Sequence, residues 1–241
     1  MAVTPWDDTI RKRKVLTIFP TGNVKGAWLQ AFKDAVAEFN TLSKSLKLGV
    51  TFDSPTGVTA PDPVGEGGAE VQFDLGNGKL VYKAMGQTFV AKDRQGNDID
   101  FSPTDLHGAT QTLSLAFGNG PARMRRAFIF VPETPMVSAL MKASKRRDDF
   151  KSVQREAGPG IRRFIAVHEL IHACGLSNGE HNVQGPDADV FTNGPSPSAG
   201  AFDRPQDDKL LLHLAHPKPN VFGPPITIKK KVADLIRDNW K

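Results

Sequence analysis

GIRRFIAVHELIHACG, residues 160–175, has the pattern of a helix that is apolar on almost every side. Its hydrophobic residues recur at helical spacing. Apart from the cysteine, its ionisable residues are two arginines, two histidines and one glutamate. Such a pattern indicates a helix that is buried inside the protein. Gly175 follows at a point where a residue with positive φ can end the helix and turn the chain back.

His168, Glu169 and His172 form the pattern HExxH. Residues four apart lie one above the other on a helix, so the two imidazoles can bind one metal ion. Glu169 lies about 100° round the helix and can act as a general base, and zinc in such a site lowers the pKa of its water to about 7. A histidine on an apolar face is often a core residue, but that reading would bury a carboxylate beside two imidazoles without a function, which is costly unless they are paired. The motif therefore predicts a Zn²⁺ site with Glu169 as the catalytic residue.

HELIHACG, residues 168–175, resembles the first eight positions of the extended metzincin pattern HExxHxxGxxH. The resemblance implies a zinc metallopeptidase that acts as an endopeptidase on protein or peptide substrates. It also implies an α/β (α+β) fold, with a twisted mixed sheet backed by helices and a smaller C-terminal subdomain of helices and loops. We expect a single domain over residues 1–241, with an upper subdomain over about 1–175 and a lower one over about 176–241.

The third metal ligand departs from the metzincin pattern. That pattern has its third histidine where this chain has Asn178, and a neutral amide is a poor zinc ligand. His181 lies three residues later and is our predicted third ligand, because a loop can absorb the added residues and some metzincins carry insertions there. Glu180, Asp187 and Asp189 are alternatives, since a carboxylate oxygen also binds zinc.

Two residues that metzincins place after the motif are missing. The family has a methionine in a turn beneath the metal, but all five methionines of this chain precede the motif. Phe191 stands where that methionine would lie. The tyrosine that some metzincins place after that methionine is also missing, because the sole tyrosine, Tyr82, precedes the motif. His213 or His216 is therefore our candidate for polarising the substrate carbonyl.

Hydrophobic patterns in the first third of the chain predict four elements. KVLTIFP (14–20) and LKLGVTF (46–52) have the composition of strands, and GAWLQAFKDAVAEFNTL (26–42) has an aromatic stripe at helical spacing. This strand, helix, strand opening resembles the upper subdomain of a metzincin. EVQFDLGNGKLVYKA (70–84) predicts a hairpin that turns at its Gly-Asn-Gly sequence.

Later stretches predict two strands and up to three helices. QTLSLAF (111–117) and RRAFIFVP (125–132) are strands, and either could be the edge strand along which a peptidase binds an extended substrate. SALMKASKRRDDFKSVQREAG (138–158) predicts a charged helix or an ordered loop. Short helices are expected over 206–216 and over 227–240, the second with an apolar stripe that would dock on the body.

Composition excludes several classes of protein. At 241 residues with 39% hydrophobic content, the chain can bury one sizeable core. It has no ordinary secretion signal and no apolar run that predicts a membrane span, so we expect a cytoplasmic protein or one associated with a virion or another assembly. Cys174 is the only cysteine, which excludes a disulfide framework and a cysteine-rich zinc ribbon and predicts a buried structural thiol.

Charge and motif leave two other functions open. The net charge is +5, with basic clusters at 11–14, 145–147 and 229–231 that could contact nucleic acid or an assembly. HELIHA also resembles the SprT-type proteases, which act on proteins bound to DNA. A further alternative is a non-catalytic structural or binding component of a larger assembly, for example a virus particle, that keeps a metallopeptidase fold.

Overall fold

A computed structural model of the protein describes residues 3–61, 67–93, 95–116, 120–142, 150–176, 192–193 and 226–241. The elements in chain order are α1 (Asp8–Arg13), β1 (Val15–Pro20), α2 (Gly26–Leu46), β2 (Thr51–Asp53), β3 (Val71–Gly76), β4 (Gly78–Lys79), β5 (Val81–Ala84), β6 (Gln87–Val90), β7 (Asp100–Phe101), β8 (Ala109–Leu115), β9 (Arg123–Pro132), β10 (Met136–Lys142), β11 (Phe150–Glu156), α3 (Pro159–Ala173), β12 (Thr192–Asn193), β13 (Thr227–Ile228) and α4 (Lys230–Asn239). The predicted mixed α/β class is confirmed.

The central sheet has five strands in the order β2, β1, β3, β9, β8. β1 lies parallel to β2 and β3, and β3 lies parallel to β9, whereas β8 is antiparallel to β9. β9 is buried at every position from Arg126 to Pro132, as expected for an apolar strand covered on both faces. Of the two strands that could receive an extended substrate, only β8 therefore lies at an edge of this sheet.

α2 packs across the sheet through its predicted aromatic stripe. The ring centroid of Phe32 lies 5.1 Å from that of Phe73 in β3, and the centroid of Phe39 lies 4.9 Å from that of Phe52 in β2. Parallel strands need a crossover connection, and α2 supplies it between β1 and β2. The predicted strand, helix, strand opening is confirmed, although the second strand is short and starts only at Thr51.

The hairpin predicted over 70–84 is wrong. β3 is a central strand in which Val71 and Phe73 are fully buried, and it pairs with β1 and β9. The Gly-Asn-Gly sequence redirects the chain into β4, whose partner is β7. The hairpin that forms joins β5 to β6 through Met85 and Gly86, which have φ values of 53° and 71°. Two successive residues with positive φ are what a type I′ turn requires.

The helix or ordered loop predicted over 138–158 is also wrong where the chain is described. β10 pairs antiparallel with β11, from Met136 opposite Glu156 to Lys142 opposite Phe150. The segment is rich in Ala, Lys and Arg, which favour helices in isolation. Strand pairing overrides that weak preference, and a helix starts only at Pro159.

Both termini of the described chain pack onto the core. α1, which the sequence pattern did not predict, begins after Asp7, whose side chain accepts a hydrogen bond from the first helical turn. α4 buries three of the four residues in the stripe predicted for it, since Val232, Ile236 and Trp240 are each at most 1% exposed, whereas Leu235 is half-buried. The core that contains them also includes Trp6 and the buried face of α3.

Some expectations are not decided by the described residues. The division into subdomains over 1–175 and 176–241 stays a prediction, and the helix expected over 206–216 lies outside the described ranges. In the described ranges, no helix combines the length and apolar character needed to cross a bilayer.

Candidate metal and catalytic site

α3 carries the three residues of the HExxH motif. Pro159 occupies its first turn, where the missing N–H costs nothing because the first backbone donors have no partner within a helix. Twelve of its fifteen residues are buried, the glutamate and one histidine of the motif among them. The prediction of a buried helix is confirmed.

His168 and His172 lie one turn apart on α3, as predicted. Their ring centroids are 5.1 Å apart, and the ring planes are inclined by 69°. His172 is 1% exposed, whereas His168 is half-buried. Zinc to imidazole-nitrogen distances are about 2.0–2.1 Å, so two rings at this separation are close enough to serve one metal ion.

The orientation of His172 is held by the backbone after the helix. Its Nδ1 lies 3.1 Å from the carbonyl oxygen of Leu176. A carbonyl oxygen can only accept, so Nδ1 donates and carries the proton. The lone pair of the neutral ring then lies on Nε2, the atom through which a metal would bind. Histidines that bind metals commonly make this kind of second hydrogen bond, because it fixes the tautomer and the ring plane.

The turn that contains this carbonyl is held by both terminal segments of the described chain. Trp6 Nε1 donates to the carbonyl oxygen of Ala173 at 2.8 Å. Asn239 Nδ2 and Trp240 Nε1 each donate to the carbonyl oxygen of Cys174 at 3.0 Å. The last carbonyls of a helix lack partners within it, and these three side chains supply them.

Gly175 is enclosed by the same two segments. It has φ of +107°, and a Cβ atom placed on it would lie 2.5 Å from both Asn239 Nδ2 and the carbonyl oxygen of Thr4. Its own carbonyl accepts a hydrogen bond from Thr4 N at 2.9 Å. The predicted turn at Gly175 is confirmed, and glycine is required there both for its positive φ and for space.

Glu169 projects toward the start of β8. Thr110 Oγ1 donates to Glu169 Oε2 at 2.7 Å, and the two residues are 4% and 2% exposed. A Cβ atom on Gly108 would lie 2.5 Å from Glu169 Cγ and 2.6 Å from its Cδ and Oε1. The carboxylate is therefore in close contact with the backbone that enters the edge strand of the sheet.

The two arginines of α3 have structural partners. Arg162 pairs with Glu156 and lies with its guanidinium carbon 5.7 Å from the ring centroid of Trp28. Arg163 forms an ion pair with Glu38 of α2 at 3.0 Å, with both side chains less than one-fifth exposed. These contacts join α3 to α2 and to β11.

The predicted third ligand lies outside the described residues, and so do its alternatives. His181, Glu180, Asp187 and Asp189 belong to this group, as does Asn178. The same holds for residues 191, 213 and 216. In the part of the chain that the structure describes, no three His, Cys, Asp or Glu side chains form a group that could hold a metal. The described donors toward zinc are thus the two imidazoles of α3.

Cys174 is buried, as predicted for a structural thiol. Its Sγ donates to the carbonyl oxygen of Leu170 at 3.4 Å, one helical turn earlier. Burial raises the pKa of this thiol well above its ordinary value, because the charged thiolate would lose its hydration. A thiol that stays protonated in this way is a poor nucleophile.

Sequence reasoning missed Gly108 and Thr110. Both lie about 60 residues before the motif, and nothing in LHGAT (106–110) marks it as part of a site. The only available signal was a glycine and a small polar residue just before a predicted strand. His107, the remaining histidine of the chain, directly precedes Gly108 and is exposed.

Comparisons with known proteins give no family for this chain. No protein-family model, no curated protein and no solved structure matches the chain. The metzincin resemblance therefore rests on the eight motif positions and on the opening elements. What the site can do chemically follows from its own residues.

Proposed function

We propose that this protein is a zinc-dependent endopeptidase that hydrolyses peptide bonds with Glu169 as general base. One observation carries the proposal: His168 and His172 lie a turn apart on a buried helix, and the carboxylate between them in sequence is held against an edge strand. Glu169 and His172 are almost fully buried, and a helix used only for packing would gain nothing from burying them.

The residues fit a zinc ion. His168 and His172 would hold it together with His181, and the hydrogen bond from His172 Nδ1 to Leu176 leaves the neutral ring in the tautomer that binds metal through Nε2. When bound, zinc acts as a Lewis acid that polarises the substrate carbonyl and makes water acidic enough to attack at neutral pH. A carboxylate that does not bind the metal is then needed to accept the proton of the attacking water.

Glu169 performs the proton transfers in this mechanism. It takes a proton from the attacking water and later delivers a proton to the leaving amine, so that it ends the cycle as the carboxylate it began as. The hydrogen bond from Thr110 and the contact with Gly108 hold the side chain in one position. A base that is already oriented loses little entropy when the reaction occurs.

The edge strand β8 suits an extended substrate. It pairs with β9 on one side and is the last strand of the five-stranded sheet. A peptide that adds to such an edge is held by backbone hydrogen bonds, which do not depend on the identity of its side chains. The start of β8 lies beside Glu169, so a peptide bound along it passes close to the general base. The opening elements β1, α2 and β2 also support the resemblance to metzincins, which are peptidases.

A cleavage experiment tests this proposal. The zinc-loaded protein is incubated with unfolded protein substrates, and cleavage products are identified by mass spectrometry with and without a zinc chelator. We expect chelator-sensitive cleavage that falls by about 10²- to 10⁴-fold in Glu169→Gln, the range that a general base contributes, while zinc content is unchanged.

Glu133→Gln is the matched control, because Glu133 is an exposed glutamate that follows β9 and contacts Asn77. It should cleave like the wild type. Cleavage that survives in Glu169→Gln would overturn the mechanism, and a zinc-loaded wild type without any cleavage would favour the non-catalytic alternative.

A further inference from the structure

We propose that Thr110 is a positioning residue for Glu169 and that Gly108 provides the space in which the carboxylate is held. Neither residue belongs to the HExxH motif. The inference rests on the proposed function, since it assigns to both residues a role in orienting the general base. It connects the strand that would bind the substrate to the residue that would move the proton.

The Thr110 hydroxyl favours the carboxylate over the helix backbone. Its Oγ1 lies 2.7 Å from Glu169 Oε2 and 3.3 Å from the main-chain carbonyl oxygen of Glu169. A hydroxyl has one proton to donate, and the shorter contact is the charge-assisted one. Both residues are almost fully buried, so water cannot easily replace the hydroxyl if it is removed.

Gly108 acts by its lack of a side chain. Residues two apart in an extended chain point to the same face, so Gly108 and Thr110 both face α3. An added Cβ at 108 would approach three side-chain atoms of Glu169 to within 2.6 Å. Alanine at this position would therefore displace the carboxylate from the place where Thr110 holds it.

The position of Thr110 is set by the pairing of β8 with β9. Ala109 and Thr110 pair with Phe130 and Ile129 of β9, both of which are at most 2% exposed. Glu169 lies on a helix that is buried along most of its length. The distance between Thr110 and Glu169 is thus determined by two packed elements, which is the condition for a pre-oriented base.

Kinetic comparison of four variants tests the role. Thr110→Val removes the donor and keeps the shape, and we expect kcat to fall about 10- to 100-fold, the size of a lost hydrogen bond to a charged group, with KM changed less than about twofold. Thr110→Ser restores the hydroxyl and should recover most of kcat. Gly108→Ala should lower kcat at least as much as Thr110→Val. Thr17→Val in β1 is a matched control in a half-buried strand position and should leave kcat unchanged.

Zinc content must equal that of the wild type in all four variants, because none of them changes a ligand. A Thr110→Val protein with wild-type kcat would overturn the inference and leave the proposed function intact. Equal losses in Thr110→Val and Thr110→Ser would also overturn it, because they would mean that the hydroxyl is not what matters.

A second measurement does not depend on activity. Thermal unfolding of Thr110→Val, Glu169→Ala and the double variant is measured in chelator, where both single changes break the same contact. We expect the double variant to lose less in Tm than the sum of the single losses. Additive losses would show that the two side chains are not coupled and would overturn the inference, even if the zinc-loaded wild type cleaved no substrate.

Discussion

Glu169 and His172, two residues of the motif helix, are held in place by different kinds of contact. On the β8 side, Glu169 is held by one side-chain hydroxyl from an edge strand. At the C-terminal end, His172 is held by the backbone carbonyl of Leu176, within a turn that Trp6, Asn239 and Trp240 fix from both terminal segments. Among the described contacts, the first support is one hydrogen bond beside the close approach of Gly108, and the second is a network.

This difference separates chemistry from metal binding. Loss of the hydrogen bond from Thr110 to Glu169 should impair proton transfer and leave the fold and the zinc site in place. Loss of part of the network should loosen the turn that orients His172 and should therefore affect stability and zinc affinity together. Three substitutions in the network test this separation.

Gly175→Ala should have the largest effect. The positive φ of +107° disfavours alanine, and its Cβ would collide with Thr4 and Asn239. We expect a loss of about 3 kcal/mol or more in the free energy of unfolding, measured by denaturant in chelator, from backbone strain and overpacking together. Zinc affinity should fall by about 10- to 100-fold, as for other residues that support a ligand.

Gly57→Ala is the control for strain alone. Gly57 has φ of +83°, but nothing lies within 4 Å of the added Cβ. Gly57→Ala should lower the free energy of unfolding by about 1 kcal/mol or somewhat more and leave zinc affinity unchanged. Equal losses at the two glycines would mean that enclosure by the two terminal segments does not stabilise the turn.

Trp240→Phe should have an intermediate effect. The change removes the donor to the Cys174 carbonyl, which still accepts from Asn239, and leaves a small cavity. We expect a loss of about 1–2 kcal/mol in the free energy of unfolding and a measurable weakening of zinc binding. Trp28→Phe removes a donor to the Glu133 carbonyl and keeps an aromatic ring beside Arg162, so it should lower stability without weakening zinc binding. Identical zinc affinities in the two variants would count against the network.

Cys174→Ala should have the smallest effect. The carbonyl of Cys174 takes part in the network, whereas its thiol contacts only the preceding helical turn in the described contacts. We expect a loss of about 1 kcal/mol in the free energy of unfolding, with zinc content and cleavage retained.

In the wild type, a thiol-alkylating reagent should label Cys174 only after unfolding, because the residue is fully buried. Rapid labelling of the native protein would show that the turn opens.

Most of the elements that could be predicted have strong periodicity, and β8 and β9 were also predicted. The opening β1, α2, β2, the motif helix and α4 all have apolar residues at the spacing of their own structure, and packing agrees with that spacing. The hairpin over 70–84 failed because a turn signal does not say which strand lies beside which. The segment over 138–158 failed because pairing between β10 and β11 outweighed the helix preference of its residues.

The candidate site shows the same limit. His168, Glu169 and His172 could be predicted because their relationship is local and a helix repeats it. Thr110 lies 59 residues from Glu169 in sequence, and only the sheet order brings its strand to α3. The donors from Trp6 and Trp240 likewise come from opposite ends of the described chain. Contacts of this kind depend on tertiary structure and leave no spacing to detect.

Zinc content, measured by mass spectrometry on the purified protein, tests the central claim most directly. The wild type should carry about one zinc per chain, as a single HExxH site requires. His181→Ala should lose this zinc, and Asn178→Ala should keep it. A wild type without zinc, even after metal is added back, would contradict the metallopeptidase proposal. Full zinc in His181→Ala would retain the site but move its third ligand to another residue.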